Sequence, residues 1–345
     1  MQKQNIINTV QYNCNIADSY AANDYTLCVY LLKMREYYRW ENKLGFNQAL
    51  EKDAIGDWIS SREEHWQDLE NVDYADVKIN NVSYSPFDTE QINQQLKSID
   101  LVYSGGLSQN HRPHFFLAEL KKYQAVDDYH IYVTNTEFAR ELSAPPAMSH
   151  NKTIFIRRES LKRMIWERLE EWRWRKGQGA MSRALSYYDF DTDLDNALEQ
   201  MTEHEADVLL HHEIGEINAG KHLGKAWHDM LASLPRSKAN FMARAVRDHI
   251  ADCTSTLPML LNEDRFASIH FYFGNFNAMR KELFPSLFQS YEYWHKSGDP
   301  GRLLKSITSG QQHWQKLADN IIQCHQSDSA NCLNSITELV EQNKL

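Results

Sequence analysis

Two imidazoles and two carboxylates lie within six residues of one predicted helix, in the run His211-His212-Glu213-Ile214-Gly215-Glu216. At about 100° per residue, Glu213 falls in the middle of the apolar face of that helix. His212, Glu216 and Glu205 share one flank. Burying a bare carboxylate is costly, so one that points at a core is paired, protonated or bound to a metal ion. The spacing therefore predicts a metal site with His212 and Glu216 as ligands, assisted by Glu213 or Glu205.

A second group of ligand types lies in the predicted helix 241–257. His249 and Asp252 are three residues apart and share one shoulder of that helix, beside its apolar face. Together with His212 and Glu216 they would supply two imidazoles and two carboxylates from two helices, which is typical of carboxylate-bridged metal centres in helical bundles. The alternative is that Asp252 only orients His249, or that both side chains face water.

The chemistry of such a site depends on the metal ion. The run from His212 to Glu216 resembles half of the zincin motif, in which the first His binds zinc and the adjacent Glu activates water. That resemblance implies a general base at Glu213, but a carboxylate stands where zincins have their second His. The extra carboxylate favours iron or manganese over zinc. We expect a divalent metal ion that activates oxygen or a peroxide if it is iron or manganese, and water for hydrolysis if it is zinc.

One further acid belongs to a predicted helix near the amino terminus. Residues 24–41 are apolar or aromatic all round the helical wheel, which is typical of a centrally buried helix. Glu36 lies among these apolar positions, and Arg39 follows one turn later. The pattern favours a buried Glu36–Arg39 ion pair. The alternative is that Glu36 supplies another metal ligand.

Two other functions fit parts of the sequence. The same His and Glu residues could form a structural hydrogen-bond network in a non-enzymatic binding or scaffold protein. Alternatively, residues 157–183 carry nine Lys or Arg and four Glu, a net charge of +5, with three Trp interleaved, a mixture that suits nucleic acid. Because the whole chain carries −10, the remainder carries −15 and would repel a polyanion, so nucleic-acid binding is not expected.

Composition narrows the protein class further. The acidic balance, with a pI near 5.8, argues against a binder of anionic membranes, and no window approaches the roughly 18 apolar residues of a membrane span. The first five residues are polar, unlike the start of a secretory signal. Five cysteines without CxxC spacing suit a reducing compartment. We therefore expect a cytoplasmic protein that acts on a small molecule.

The elements that must position these residues are mainly helical. Short β-type runs occur only between about 77 and 157, so the pattern predicts a large helical domain (an α+β fold) with a small, mostly antiparallel β-sheet insertion. Residues 1–76 would form helices packed into the main body, 77–157 the α/β insertion, and 158–345 a helical bundle that carries the site. No long linker separates these segments, which indicates one compact unit.

Four stretches resemble an uncharacterised family of bacterial cytoplasmic proteins. They occur at residues 25–40, 114–120, 140–148 and 211–216, so the resemblance extends over most of the chain. The family has no established activity, fold or ligand set. The resemblance therefore implies a bacterial, cytoplasmic protein and assigns no role to any residue.

Overall fold

The computed structural model describes residues 2–107, 113–126, 128–150, 152–276, 278–327 and 331–345. The chain is mainly α-helical with two small β-sheets, which confirms the predicted fold class. Its contacts divide it into two compact units, Met1–Trp166 and Glu167–Leu345. The expected segments 1–76 and 77–157 both lie in the first unit. That the whole chain forms one compact unit stays a prediction.

The first unit combines helices with both sheets. The elements are α1 (Gln2–Ala21), α2 (Leu27–Glu41), α3 (Lys52–Asp68), β1 (Val77–Ile79), β2 (Val82–Tyr84), α4 (Thr89–Leu96), β3 (Leu101–Leu107), β4 (Pro113–Val126), β5 (Tyr129–Arg140), β6 (Ala147–His150), β7 (Thr153–Arg157) and α5 (Arg158–Arg175). Strands β1 and β2 form an antiparallel hairpin, and the larger sheet has the order β3-β4-β5-β7-β6, antiparallel except between β5 and β7. The boundary between the two units lies within helix α5.

The larger sheet packs against apolar side chains on both of its faces. Ile6 and Val10, one turn apart on α1, pack in the same cluster as Phe115 of β4. Phe116, the next residue of β4, points to the opposite face and packs against Phe155 of β7. The near-continuous apolar run of β4 follows from this double burial.

Helix α2 differs from its prediction. Its second half is buried around Met34 and Tyr37, as the sequence pattern indicates. Its first two turns are exposed, although they carry Leu27, Leu31 and Leu32. The prediction of a centrally buried helix is therefore wrong for these turns, because an apolar pattern shows that a surface needs cover but not which part of this chain provides it.

The second unit is entirely helical in its described residues. Neither its two long helices nor any other described helix has both the length and the apolar character needed to cross a bilayer. The elements are α6 (Ala180–Leu185), α7 (Leu194–Ser233), α8 (Lys238–Ala251), a π-helical turn (Asp252–Thr256), α9 (Leu257–Asn262), α10 (Phe266–Asn275), α11 (Ala278–Leu283), α12 (Pro285–Ser297), α13 (Gly301–Ser327) and α14 (Cys332–Gln342).

The backbones of α7 and α8 approach each other closely at one point. A Cβ atom on Gly215 would lie 2.7 Å from the carbonyl oxygen of Ala251 and 3.0 Å from its Cα. Only glycine permits this distance, so Gly215 determines how closely the two helices pack. Ser255 adds a second link, because its Oγ donates a hydrogen bond of 2.7 Å to the carbonyl of His211.

The π-helical turn follows directly after this contact. Pro258 has no N–H, so it cannot donate to the carbonyl of Thr254, and the regular helical ladder is interrupted. The Oγ1 of Thr254 donates a separate hydrogen bond to the carbonyl of Ile250, one turn earlier, at 2.7 Å. The wider turn begins at Asp252, one of the predicted site residues, and it shifts the phase of the side chains that follow.

We predict that Gly215→Ala lowers the free energy of unfolding by about 1–3 kcal/mol, because the added methyl group overpacks the contact with Ala251. Urea unfolding followed by circular dichroism measures the effect. Gly56→Ala is the matched control: nothing lies within 4 Å of its added Cβ in helix α3. That change should stabilise the protein by about 0.5–1 kcal/mol. Equal stability of the Gly215 variant and the wild type would contradict this account of the contact.

Candidate functional site

The imidazole of His212 lies between two carboxylates. Its Nδ1 is 2.9 Å from Oδ1 of Asp252, which begins the π-helical turn. Its Nε2 is 3.5 Å from Oε1 of Glu216, one turn further along α7. Burial opposes protonation of the ring, but Asp252 and Glu216 more than offset it and raise the pKa of His212 well above its ordinary range. The two helices that meet at Gly215 therefore bring together three of the predicted site residues.

Asp252 is held in place from the side opposite His212. Its Oδ2 accepts hydrogen bonds from the hydroxyl of Tyr272, at 2.8 Å, and from Arg280. Arg280 also donates to the Tyr272 hydroxyl at 2.9 Å. Burial alone would raise the pKa of Asp252, but Arg280 and His212 hold it well below its usual range. Asp252 is therefore a buried, ionised acceptor whose position is fixed by three partners.

Glu216 has a partner on α8. Arg247 donates from Nη2 to its Oε1 at 2.7 Å and lies 3.6 Å from Asp248. Burial raises the pKa of Glu216, yet Arg247 and His212 lower it to about 2. Burial and the charge of Glu216 raise the pKa of Asp248 to about 6. The site thus combines one strongly acidic carboxyl with one that titrates near neutrality.

Three of these side chains could hold one ion. One ligand atom each from His212, Glu216 and Asp248 lies within 4.8 Å of the other two, and all three residues are partly exposed. Sequence reasoning missed Asp248. Its four-residue spacing from Asp252 was a partial signal, because such a pair shares one side of a helix, but the same pattern also allowed the adjacent His249.

The structure does not bring His249 into this group. Its ring is fully buried, stacked on Trp314 with ring centroids 4.7 Å apart and edge-on to Phe284 at 5.5 Å. Neither ring nitrogen makes a hydrogen bond of normal geometry to a described residue. Burial, together with the nearby charge of Arg280, lowers the pKa of His249 to about 3. His249 is thus a neutral ring in an aromatic core. Adjacent residues of a helix point about 100° apart, so His249 does not share the direction of its neighbour Asp248.

Two other predicted carboxylates, Glu213 and Glu205, lie on α7 and have different neighbours. Glu213 is buried, and its charge raises the pKa of Arg247, which places it in the same neighbourhood. Its role as a base stays a prediction. Glu205 is also buried, but its neighbours are Ser268 and Arg265, so the structure does not group it with His212.

The candidate in the first unit forms an ion pair. Glu36 is buried, with its Oε1 2.8 Å from Nε of Arg35 and its Oε2 3.3 Å from Nε of Arg39. Arg39 also donates to the backbone carbonyls of Gly45, at 2.5 Å, and Gln48, at 3.1 Å. These contacts favour the structural alternative for Glu36 and Arg39.

The basic segment 157–183 is less positive at its surface than its composition indicates. Arg157 is fully buried and bound to Glu137 and Glu141, at 3.0 Å each. Arg158 and Arg163 are buried as well. Further along, Arg168 and Arg175 both pair with Glu171, at 2.8 and 2.9 Å. These Arg side chains are buried or paired with nearby acids, so they give no support to nucleic-acid binding.

Glu205 generates a prediction on pH. Burial raises its pKa to about 7, so the folded state holds a proton that the unfolded state releases at lower pH. Stability should fall as pH rises from about 4.5 to 7. Glu205→Gln removes this dependence. As pH rises from 5 to 8, the free energy of unfolding of the variant should therefore increase by up to about 3 kcal/mol relative to that of the wild type. Urea unfolding at both pH values measures it, with the exposed Glu338→Gln as control. A pH-independent difference would refute the assignment.

Comparison with known proteins gives a family but no activity. No curated protein and no solved structure matches the chain. Residues 5–157 match the N-terminal domain, and residues 162–343 the C-terminal domain, of a family of unknown function, DUF6866. The expected resemblance to an uncharacterised family is thereby confirmed, while the bacterial origin and cytoplasmic location stay predictions. The chain belongs to this family of unknown function, and all residues grouped around His212 lie in its C-terminal domain.

Proposed function

We propose that the protein binds one divalent metal ion through His212, Glu216 and Asp248 and uses it as the Lewis acid of a metal-dependent enzyme. The observation that carries the proposal is the orientation of the His212 ring. Asp252 accepts a hydrogen bond from Nδ1, and Nε2 is directed to the side where Glu216 and Asp248 lie. A ring held in this way offers its second nitrogen to a metal ion.

Asp252 has the features of a residue that orients a ligand. Metal-binding His residues in proteins usually donate their other ring N–H to a carboxylate or carbonyl, which fixes the tautomer and increases ligand basicity. Asp252 would do this for His212, and Tyr272 and Arg280 would hold Asp252. We therefore assign Asp252, predicted as a ligand, to the position behind the ligand His212.

The donor set limits the choice of ion. One imidazole and two carboxylates suit iron, manganese or zinc, whereas a soft thiolate-preferring ion would find no sulfur ligand in this group. Arg247 binds Oε1 of Glu216, and a carboxylate can accept a second partner through its other oxygen. Because the three residues are partly exposed, water and a substrate could reach the remaining coordination positions.

The bound ion would activate water or oxygen, and an acidic side chain of the protein would accept the released proton. A bound divalent ion lowers the pKa of a coordinated water towards neutrality or, for iron or manganese, can activate oxygen. Glu213, which is buried close to Arg247 and is our candidate general base, would accept the released proton. Arg247 lies close to Glu216, Asp248 and Glu213 and would keep these acids in place.

A structural polar network is the second candidate. The observation in its favour is that Arg247 already neutralises Glu216 and Arg280 already neutralises Asp252. A complete set of ion pairs of this kind can fix the packing of helices without any ion. The two candidates differ in what happens when metal is offered to the protein.

We predict that the wild-type chain, incubated with Mn²⁺, Fe²⁺ or Zn²⁺ and then gel-filtered, retains about one ion per chain by elemental analysis. His212→Ala and Asp248→Asn should bind at least about tenfold more weakly, because each removes one of three ligands. Asp252→Asn should weaken binding by about 10–100-fold through loss of orientation. His222→Ala, an exposed imidazole on the same helix, is the matched control and should bind like wild type.

The opposite pattern would select the structural network. A wild-type chain that retains none of the three ions, or a His212 variant that binds them as tightly as the His222 variant, would overturn the metal site. In that case His212→Ala should still lower the free energy of unfolding, because it leaves Asp252 with one partner fewer.

We also predict that metal affinity depends on pH. The pKa of His212 is raised well above its ordinary range by Asp252 and Glu216, so an ion must displace a proton from the ring. Affinity should therefore rise about tenfold per pH unit while the ring remains protonated. Isothermal titration calorimetry with Mn²⁺ between about pH 6.5 and 8.5, in buffers of different ionisation enthalpy, measures both the slope and the released proton. A pH-independent affinity without proton release would contradict the role of Nε2.

A further inference from the structure

Two arginines border the candidate metal site, and a carboxylate holds each of them by one end of its guanidinium group. Arg247 of α8 donates from Nη2 to Glu216 at 2.7 Å. Arg280 of α11 donates from Nη2 to Asp252 and, at 2.9 Å, to the hydroxyl of Tyr272. Because a guanidinium group is planar and rigid, a partner on Nη2 also fixes the direction of its other N–H groups. Arg247 and Arg280 are called the arginine pair below.

The arginine pair keeps one terminal nitrogen each for a ligand. Within the described part of the chain, Nη1 of Arg247 and Nη1 of Arg280 make no hydrogen bond, and neither atom is completely buried. The two side chains are 12% and 27% exposed. A terminal nitrogen that is fixed in direction and open to solvent is a suitable donor to a carboxylate or phosphate oxygen.

The arginine pair approaches the proposed ligands from two sides. Glu216 and Asp252, which hold the two arginines, lie at the two nitrogens of the His212 ring. Asp248 lies 3.6 Å from Nη2 of Arg247, and the charges of both arginines oppose the rise of its pKa. An ion bound by the three ligands would therefore lie between two guanidinium groups, one on α8 and one on α11.

The charge of the group changes when an ion replaces the proton of the imidazole. The carboxylates of Glu216, Asp248 and Asp252 contribute −3 and the arginine pair contributes +2, so the protonated ring makes the group neutral. Glu213 and Arg244, whose charges also act in this neighbourhood, cancel each other. A divalent ion beside a neutral ring gives the group a charge of +1. An excess of positive charge in a partly buried place favours an anionic ligand.

We propose that the substrate is a small molecule with an oxyanion group, a carboxylate or a phosphate, which Nη1 of Arg247 and Nη1 of Arg280 bind beside the metal ion. The inference rests on the proposed function, because the positive excess arises only when the ion is bound. The arginine pair would bind the substrate and orient it towards the ion. The metal-free protein, whose group is neutral, should bind the same anions more weakly.

Water-proton relaxation tests the proposal on protein that has been loaded with Mn²⁺ and gel-filtered. An anion that enters beside the ion displaces water from it and lowers the relaxation enhancement. Acetate and inorganic phosphate are the probes. The wild-type protein should lose enhancement as the anion concentration rises. The anion that acts at the lower concentration identifies the oxyanion group as a carboxylate or a phosphate.

Charge-conserving variants test the arginine pair itself. Arg247→Lys and Arg280→Lys keep the positive charge but lose the planar fork and its second terminal nitrogen. Each should weaken anion binding by about tenfold while the protein retains Mn²⁺, because one charge-assisted hydrogen bond is lost. Arg183→Lys is the matched control. Arg183 is 24% exposed and is paired with Glu292 at 2.8 Å, so its variant should bind both anions like wild type.

The metal site and the oxyanion site fail in different ways. A wild type that retains no Mn²⁺ would overturn the metal site and the oxyanion site with it. Retained Mn²⁺ whose relaxation enhancement responds to neither anion would overturn the oxyanion site alone. Lysine variants of the arginine pair that bind anions as tightly as the Arg183 variant would also overturn it and leave the metal site standing.

Discussion

The contact between Gly215 and Ala251 decides which side chains can meet in the second unit. His212 lies three residues before Gly215 and Glu216 one residue after it, while Asp248 and Asp252 hold the same positions around Ala251. Because the two backbones almost touch, side chains at these positions are forced into one small volume. A larger residue at Gly215 would separate the helices, and the carboxylates of α8 would then lose their distance to the imidazole of α7.

Closely packed carboxylates must be compensated, and the structure does this with a small number of cations. Arg280 binds Asp252, Arg247 binds Glu216 and lies 3.6 Å from Asp248, and the protonated ring of His212 lies between Asp252 and Glu216. Removal of the proton from His212 would leave an excess of negative charge in a partly buried place. A divalent ion is one species that could replace that proton, which is why the proton on His212 and a bound metal ion are alternatives at the same atom.

Helical periodicity predicted part of this arrangement. The one-turn spacing of His212 and Glu216 places them on one flank, and the structure brings them together with Asp252. The pattern could not choose between Asp248 and His249, because adjacent residues differ by about 100° and the direction of the partner helix is unknown from sequence. The π-helical turn at Asp252 added a change of phase that a regular wheel does not contain. Tyr272 and Arg280 come from helices 20 to 28 residues away, beyond the reach of any local pattern.

Groups of paired charges occur in both units, but their exposure to solvent differs. In the first unit Arg157 is enclosed by Glu137 and Glu141 with no exposed side-chain surface, so the network is closed to any ligand. His212, Glu216 and Asp248 are partly exposed residues, and burial and the charge of Glu216 raise the pKa of Asp248 to about 6. Desolvation is severe enough in both places to require pairing, but only the second group keeps a surface through which an ion could enter. Access, rather than the number of charged residues, is therefore what distinguishes a candidate site from a structural network in this chain.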